Sequence, residues 1–169
     1  MKKTIIAASG ILLSLLLQTT AFHYLAIWGV KPDLLMIWIV LMGLLCGQPS
    51  GFAVGAVGGL LVDLLEGRFL GLSLSTGMLV GWLGGQIGKR AFREHWLVPV
   101  SAVGFCTLAG EAFYLFLGSS FGMAWPLWQA IYLVILPTAV YNMLLTLIIW
   151  PLARKLFFQE PEYVVWRRG

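Results

Sequence analysis

Residues 51–88 read GFAVGAVGGLLVDLLEGRFLGLSLSTGMLVGWLGGQIG, two glycine-studded apolar runs parted by one short charged stretch. Gly51, Gly55 and Gly59 lie at i, i+4 and i+8, and Gly77, Gly81 and Gly85 repeat the spacing, with Gly84 and Gly88 beside them. On a helix of 3.6 residues per turn, a spacing of four keeps each set on one face. Between helices in lipid, such side-chain-free faces let two backbones approach closely, and van der Waals packing there is a main source of association. The spacing leaves open whether the matching face lies in this chain or on a partner.

The surroundings fix the solvent. The chain has 169 residues, 60% hydrophobic and 11% charged, with a mean hydropathy of +0.90. A soluble domain carries about 25% charged residues to face water. So apolar a chain must have lipid as its main solvent, which excludes a soluble enzyme and a disordered tail. One transmembrane helix takes roughly 20 apolar residues, so six would use roughly 120 and leave about 49 for loops and termini. That is below the usual minimum for a further soluble domain. The expected architecture is an all-α integral membrane protein of about six spans over residues 1–153, with a short basic cytoplasmic tail over 154–169.

The first span is expected from Thr4 to about Trp28, behind Lys2 and Lys3. Its rival is a cleaved signal peptide ending near Thr19-Thr20-Ala21, a poor small-residue site that the apolar run overshoots through Phe22 and Tyr24. Lys31-Pro32-Asp33 then breaks the helix, with proline suited to the start of the next. Span two, Leu34 to Gly47, and span three, Gly51 to Leu65, flank the turn cluster Gln48-Pro49-Ser50-Gly51. Both are shorter than a ~30 Å hydrocarbon core, which suits either a tight crossing hairpin or a partly re-entrant pair buried in protein. Spans four to six are expected at Leu72–Gly88, Leu97–Leu117 and Ala130–Leu152, with Trp125 and Trp128 as interfacial anchors.

Charge sets the orientation. With six spans and the N-terminus inside, Lys2, Lys3, Lys89, Arg90, Arg93, Arg154, Lys155, Arg167 and Arg168 are cytoplasmic, and only Lys31 and Arg68 lie outside. Nine against two places both termini in the cytoplasm. The net charge of +4 is therefore a topology signal rather than a nucleic-acid footprint. The basic stretch Lys89–Arg93 and the tail either set topology alone or also meet cytoskeletal proteins and anionic lipid.

Charged and polar groups inside lipid are expensive and need an account. Asp63, with Glu66 and Arg68 close behind, is either a hydrated or Arg68-paired interfacial acid or part of an acidic rim that contacts a partner. Glu111 lies deeper in span five and is the best single candidate for an interhelical polar lock or a cavity group. Asp33 either caps span two or pairs with Lys31. Asn142 and Thr146 share a face of span six as candidate interhelical hydrogen bonders, and Pro137 is placed to kink that helix. Cys46 and Cys106 lack metal-ligand spacing and read as buried, unpaired thiols, with a single disulfide between them as the alternative, and His23 and His95 are too far apart in sequence to form a motif. No phosphate loop, paired metal-ligand histidines or G-x-S-x-G elbow appears, and neither Ser73 nor Ser75 has an evident histidine partner. No catalytic residue, metal or cofactor is expected.

The run Lys31-Pro32-Asp33-Leu34-Leu35, then Gly43-Leu44-Leu45-Cys46-Gly47, resembles the rod shape-determining protein MreD family. So do Gly51-Phe52-Ala53-Val54-Gly55 leading into Gly59-Leu60-Leu61-Val62-Asp63-Leu64-Leu65, and Gly81-Trp82-Leu83-Gly84-Gly85 after Gly71-Leu72. The specific part spans Pro32 to Gly88, while the last two spans match in character only. The resemblance implies a bacterial inner-membrane component of the cell-elongation machinery that binds MreC, works beside MreB filaments and peptidoglycan synthases, and supports rod shape and lateral wall growth. It also implies a compact bundle similar to the substrate-binding subunits of energy-coupling-factor vitamin transporters. That likeness supplies the alternative function, a small-molecule-binding transporter subunit with Glu111, Tyr114, Trp125 and Asn142 near its pocket. An ion-coupled transporter using Glu111 is a third reading.

Overall fold

The computed structural model describes residues 2–20, 31–67, 69–90, 96–122 and 126–157, and nearly all of these are helical. Six helices follow in order: α1 (Lys2–Thr20), α2 (Leu34–Cys46), α3 (Gln48–Glu66), α4 (Leu72–Arg90), α5 (Leu97–Ser120) and α6. Helix α6 opens with Leu127–Ala130, passes through a π-helical stretch Ile131–Ile135 and continues as Leu136–Phe157. No strand occurs among the described residues. Helices α3, α5 and α6 are long and apolar enough to cross a membrane, whereas α1 and α2 are apolar but shorter. Large apolar side chains such as Leu13, Phe105, Phe116 and Ile148 point outward, as a lipid-facing surface requires.

Helix α2 is the hub. All of Leu34–Leu45 is buried, packed by α3, α4, α1, α5 and α6. At 13 residues it is only about 20 Å long, and protein rather than lipid surrounds it, which is how a short segment is tolerated at membrane depth. Trp38 seats α1 against it: its ring fills the space beside Gly10, and its indole N–H donates to the Ala7 carbonyl at 3.2 Å.

The turn cluster expected at residues 48–51 is instead the first turn of α3. Pro49 falls where a helix start loses nothing by lacking an N–H, so the reversal from α2 to α3 is left to Gly47 alone, at φ 89°. A left-handed conformation of this kind costs a side-chain-bearing residue strain that glycine escapes. Span three is thereby longer than expected, at 19 residues.

Both glycine faces close on each other inside the chain. Added methyl groups on Gly51, Gly55 and Gly59 would collide with the backbones of Gly81, Gly77 and Ser73, and one on Gly85 would strike Gln48. The pairs run in opposite order, so α3 and α4 are antiparallel. Helix α2 joins the same contact: a Cβ on Gly84 would lie 2.8 Å from the Val40 carbonyl oxygen, and one on Gly88 2.7 Å from that of Leu44. The partner-face reading of these glycines therefore gives way to internal packing; no room is left for another helix.

Helix α6 also departs from expectation. It starts before Ala130 and runs past Leu152 to Phe157, carrying Arg154 and Lys155 in its last turn, where cations complement the helix dipole. The expected boundary between domain and tail at residue 154 thus falls inside a helix. The π-helical stretch ends two residues before Pro137, whose ring and missing N–H disturb the ladder just behind it.

Candidate functional site

Asp63 sits three residues from the end of α3 and organises the turn into α4. It is 3% exposed. Its Oδ2 accepts the Gly71 N–H at 2.7 Å and the Leu74 N–H at 3.1 Å, while Oδ1 accepts the Ser73 N–H at 2.8 Å. Its backbone carbonyl takes the Gly67 N–H at 3.0 Å, closing α3. One residue therefore ends one helix and caps the next, with a negative charge at the positive end of the α4 dipole. The carboxylate turns inward onto backbone rather than outward to water, which overturns the hydrated-acid and partner-rim readings. The pairing with Arg68 falls on a residue outside the described ones.

A second polar cluster ties four helices together. The Asp33 side chain caps α2 by accepting the Met36 N–H at 2.9 Å, and takes a hydrogen bond from Gln18 Nε2 of α1 at 2.7 Å. Its partners are thus Met36 and Gln18 rather than Lys31. The Asp33 backbone N–H donates to Asn142 Oδ1 at 2.9 Å, and Asn142 Nδ2 donates to Thr107 Oγ1 at 3.1 Å. Thr146 turns back onto the Asn142 carbonyl at 2.6 Å, within α6. Asn142, Thr107 and Thr146 are all fully buried. Ahead of the span, burial raises the Asp33 carboxyl above its ordinary value, partly offset by the Met36 and Gln18 hydrogen bonds. Pro32 and Leu34 are buried on either side of this cap.

Glu111 behaves as a cavity group. Its carboxylate makes no hydrogen bond or ion pair among the described residues, and it lines three adjoining spaces. An inner cavity of about 170 Å³ lies between α2, α3, α4 and α5, with Thr76, Tyr114 and Glu66 also in its wall. A groove of about 810 Å³ opens beside it between α1, α3 and α6. A third space of about 150 Å³ lies against Tyr114 and the π-helical stretch.

Of the residues singled out from sequence, the structure joins Asp33 to Asn142 directly and sets Glu111 beside Asp33 around one cavity. Asp63 and the glycines belong to the α2–α3–α4 packing instead. Gln18 and Thr107 escaped the sequence reading; Thr107 is a lone polar residue in an apolar run and Gln18 opens the polar triplet Gln18-Thr19-Thr20 at the end of one, which are the signals that could have found them. No disulfide joins Cys46 and Cys106. His23, His95 and Trp125 lie outside the described residues, and no cluster of metal-ligating side chains occurs among those described.

The chain is an all-helical, glycine-packed bundle with buried polar ties and helix caps, compatible with an α-helical membrane protein, and the comparison with known families places it in a shape-determining class. Residues 2–159 match the family of the rod shape-determining protein MreD. The chain belongs to that family, and the match implies a role in rod shape determination. No curated protein and no solved structure matches it.

Proposed function

We propose that this chain is a non-enzymatic membrane scaffold of the bacterial elongation machinery, binding MreC and supporting lateral peptidoglycan synthesis from the inner membrane. The family match over nearly the whole chain carries this reading. The packing supports it, since a bundle tied by buried caps and interhelical hydrogen bonds holds one shape on which other membrane proteins assemble. Six crossings with both termini cytoplasmic belong to the same proposal, on the nine-to-two distribution of basic residues. MreB and the synthases are reached directly or through MreC, and anionic lipid meets the basic cytoplasmic stretches.

Because the α3 and α4 glycine faces are occupied internally, the scaffold reading assigns MreC to the lipid-facing surface. Co-expression with MreC from the same genome tests this. The two proteins should leave a size-exclusion column together in mild detergent; separate elution of two folded proteins overturns the reading.

A further inference from the structure

The groove beside Glu111 carries charged groups that the hydrogen bonds among the described residues use only in part. Its walls are apolar: Leu15 of α1 and Leu65 of α3 on one side, Leu133 and Val134 of the π-helical stretch on the other. Helix α1 packs on α2 and α3, whereas the π-helical stretch packs on α5 and the rest of α6. The two walls thus belong to separate pairings and leave a cleft between them. Leu65, Leu133 and Val134 are well exposed and continue the outward apolar surface of the protein.

The floor holds Asp33 and Glu111, both half-buried, with the exposed Glu66 at its edge, and among the described residues the lining includes one cation, the exposed Lys31. Asp33 is engaged with Gln18 and Met36, but Glu111 has no partner among the described residues. Half-buried carboxylates brought together, as Asp33 and Glu111 are here, are costly. A cation entering the groove would relieve them, and an anion attached to it would meet Lys31. A ligand that carries an ammonium, an adjacent phosphate and apolar chains matches floor, rim and walls together.

We propose that this groove seats a membrane aminophospholipid of the phosphatidylethanolamine type. The ammonium lies on Glu111 with Asp33 and Glu66 around it, the phosphate lies toward Lys31, and an acyl chain runs along Leu133 and Val134. The proposal is independent of MreC binding: the lipid site could fail while the scaffold reading stands, and the reverse.

Native mass spectrometry of the purified full chain, titrated with phosphatidylethanolamine or phosphatidylglycerol of the same chain length, tests it. Phosphatidylethanolamine should be retained about tenfold better, the scale of one charge-assisted contact. Glu111→Gln should remove that preference, and Lys31→Ala should weaken phosphatidylethanolamine while leaving a phosphate-free alkylamine unchanged. Leu133→Trp, which fills the groove without touching an acid, should lower retention and so serves should Glu111→Gln fail to fold. Equal retention of the two lipids by the unaltered protein overturns the proposal, as does an undiminished preference in folded Glu111→Gln protein or undiminished retention in folded Leu133→Trp protein.

Discussion

Gly55 of α3 and Gly77 of α4 meet backbone to backbone, each occupying the place where the other's side chain would be. A methyl group on either would run into the carbonyl of its opposite number, and that carbonyl belongs to a helix rather than to a flexible side chain. Gly51 with Gly81 repeats the relationship one turn away. The contact is therefore a three-turn seam that tolerates no side chain at these positions and fixes the distance between the two helices.

Gly55→Ala should accordingly lower stability by more than about 3 kcal/mol, at the upper end of overpacking costs, because backbone must move. Gly58→Ala is the control. A Cβ there meets only the ends of the Leu35 and Ile39 side chains, the nearer at 3.1 Å, and should cost less than about 1 kcal/mol. Thermal unfolding of the two variants in the same detergent reads the difference, and equal melting temperatures would contradict the seam.

Asp63→Ala should strand the N–H groups of Gly71, Ser73 and Leu74 and cost about 2–4 kcal/mol. Asp63→Asn keeps one acceptor oxygen and should lose about half as much. Hydrogen exchange should speed up at residues 71–74 before it does elsewhere in α4. Uniform loss of protection along the helix would show that the carboxylate does more than cap it.

Asn142 and Thr107 should be energetically coupled, since each is buried and each is the other's hydrogen-bond partner at 3.1 Å. A double-mutant cycle with Asn142→Leu and Thr107→Val should return about 0.6–1.7 kcal/mol, the range for interhelical hydrogen bonds in membranes. Asn142→Leu alone should cost more than Thr107→Val, because it also strips the acceptor from the Asp33 N–H. A coupling of zero would mean that the pair is held by packing alone.

The sequence carried the helical build well and the tertiary roles unevenly. Glycines spaced by four announced a close-packed face, because the spacing and the helical repeat are both local properties. Which face met which was not local: residue 55 meets residue 77 only once the chain reverses between Gly67 and Gly71. Asp63 shows the same limit. Its neighbours in sequence, Glu66 and Arg68, suggested a charged rim, yet its partners are the backbone groups of residues 71–74, which carry no side-chain signature. Gln48-Pro49-Ser50-Gly51 misled for a different reason, since proline marks a turn and a helix start equally well. Glu111 was legible as an oddity from its depth in an apolar run, while the groove beside it is lined from α1, α3, α5 and the π-helical stretch of α6, a juxtaposition that nothing short of the folded backbone displays.

The central claim, a membrane scaffold for wall elongation, is tested most directly at native expression. The tagged chain would be purified from its own membrane in mild detergent, with mass spectrometry of the bound proteins and small molecules. The account predicts recovery of MreC together with wall-synthesis proteins, and no stoichiometric water-soluble ligand. Recovery of coupling and ATPase subunits with a tightly bound vitamin, and no MreC, would contradict it and make this chain a transporter's binding subunit.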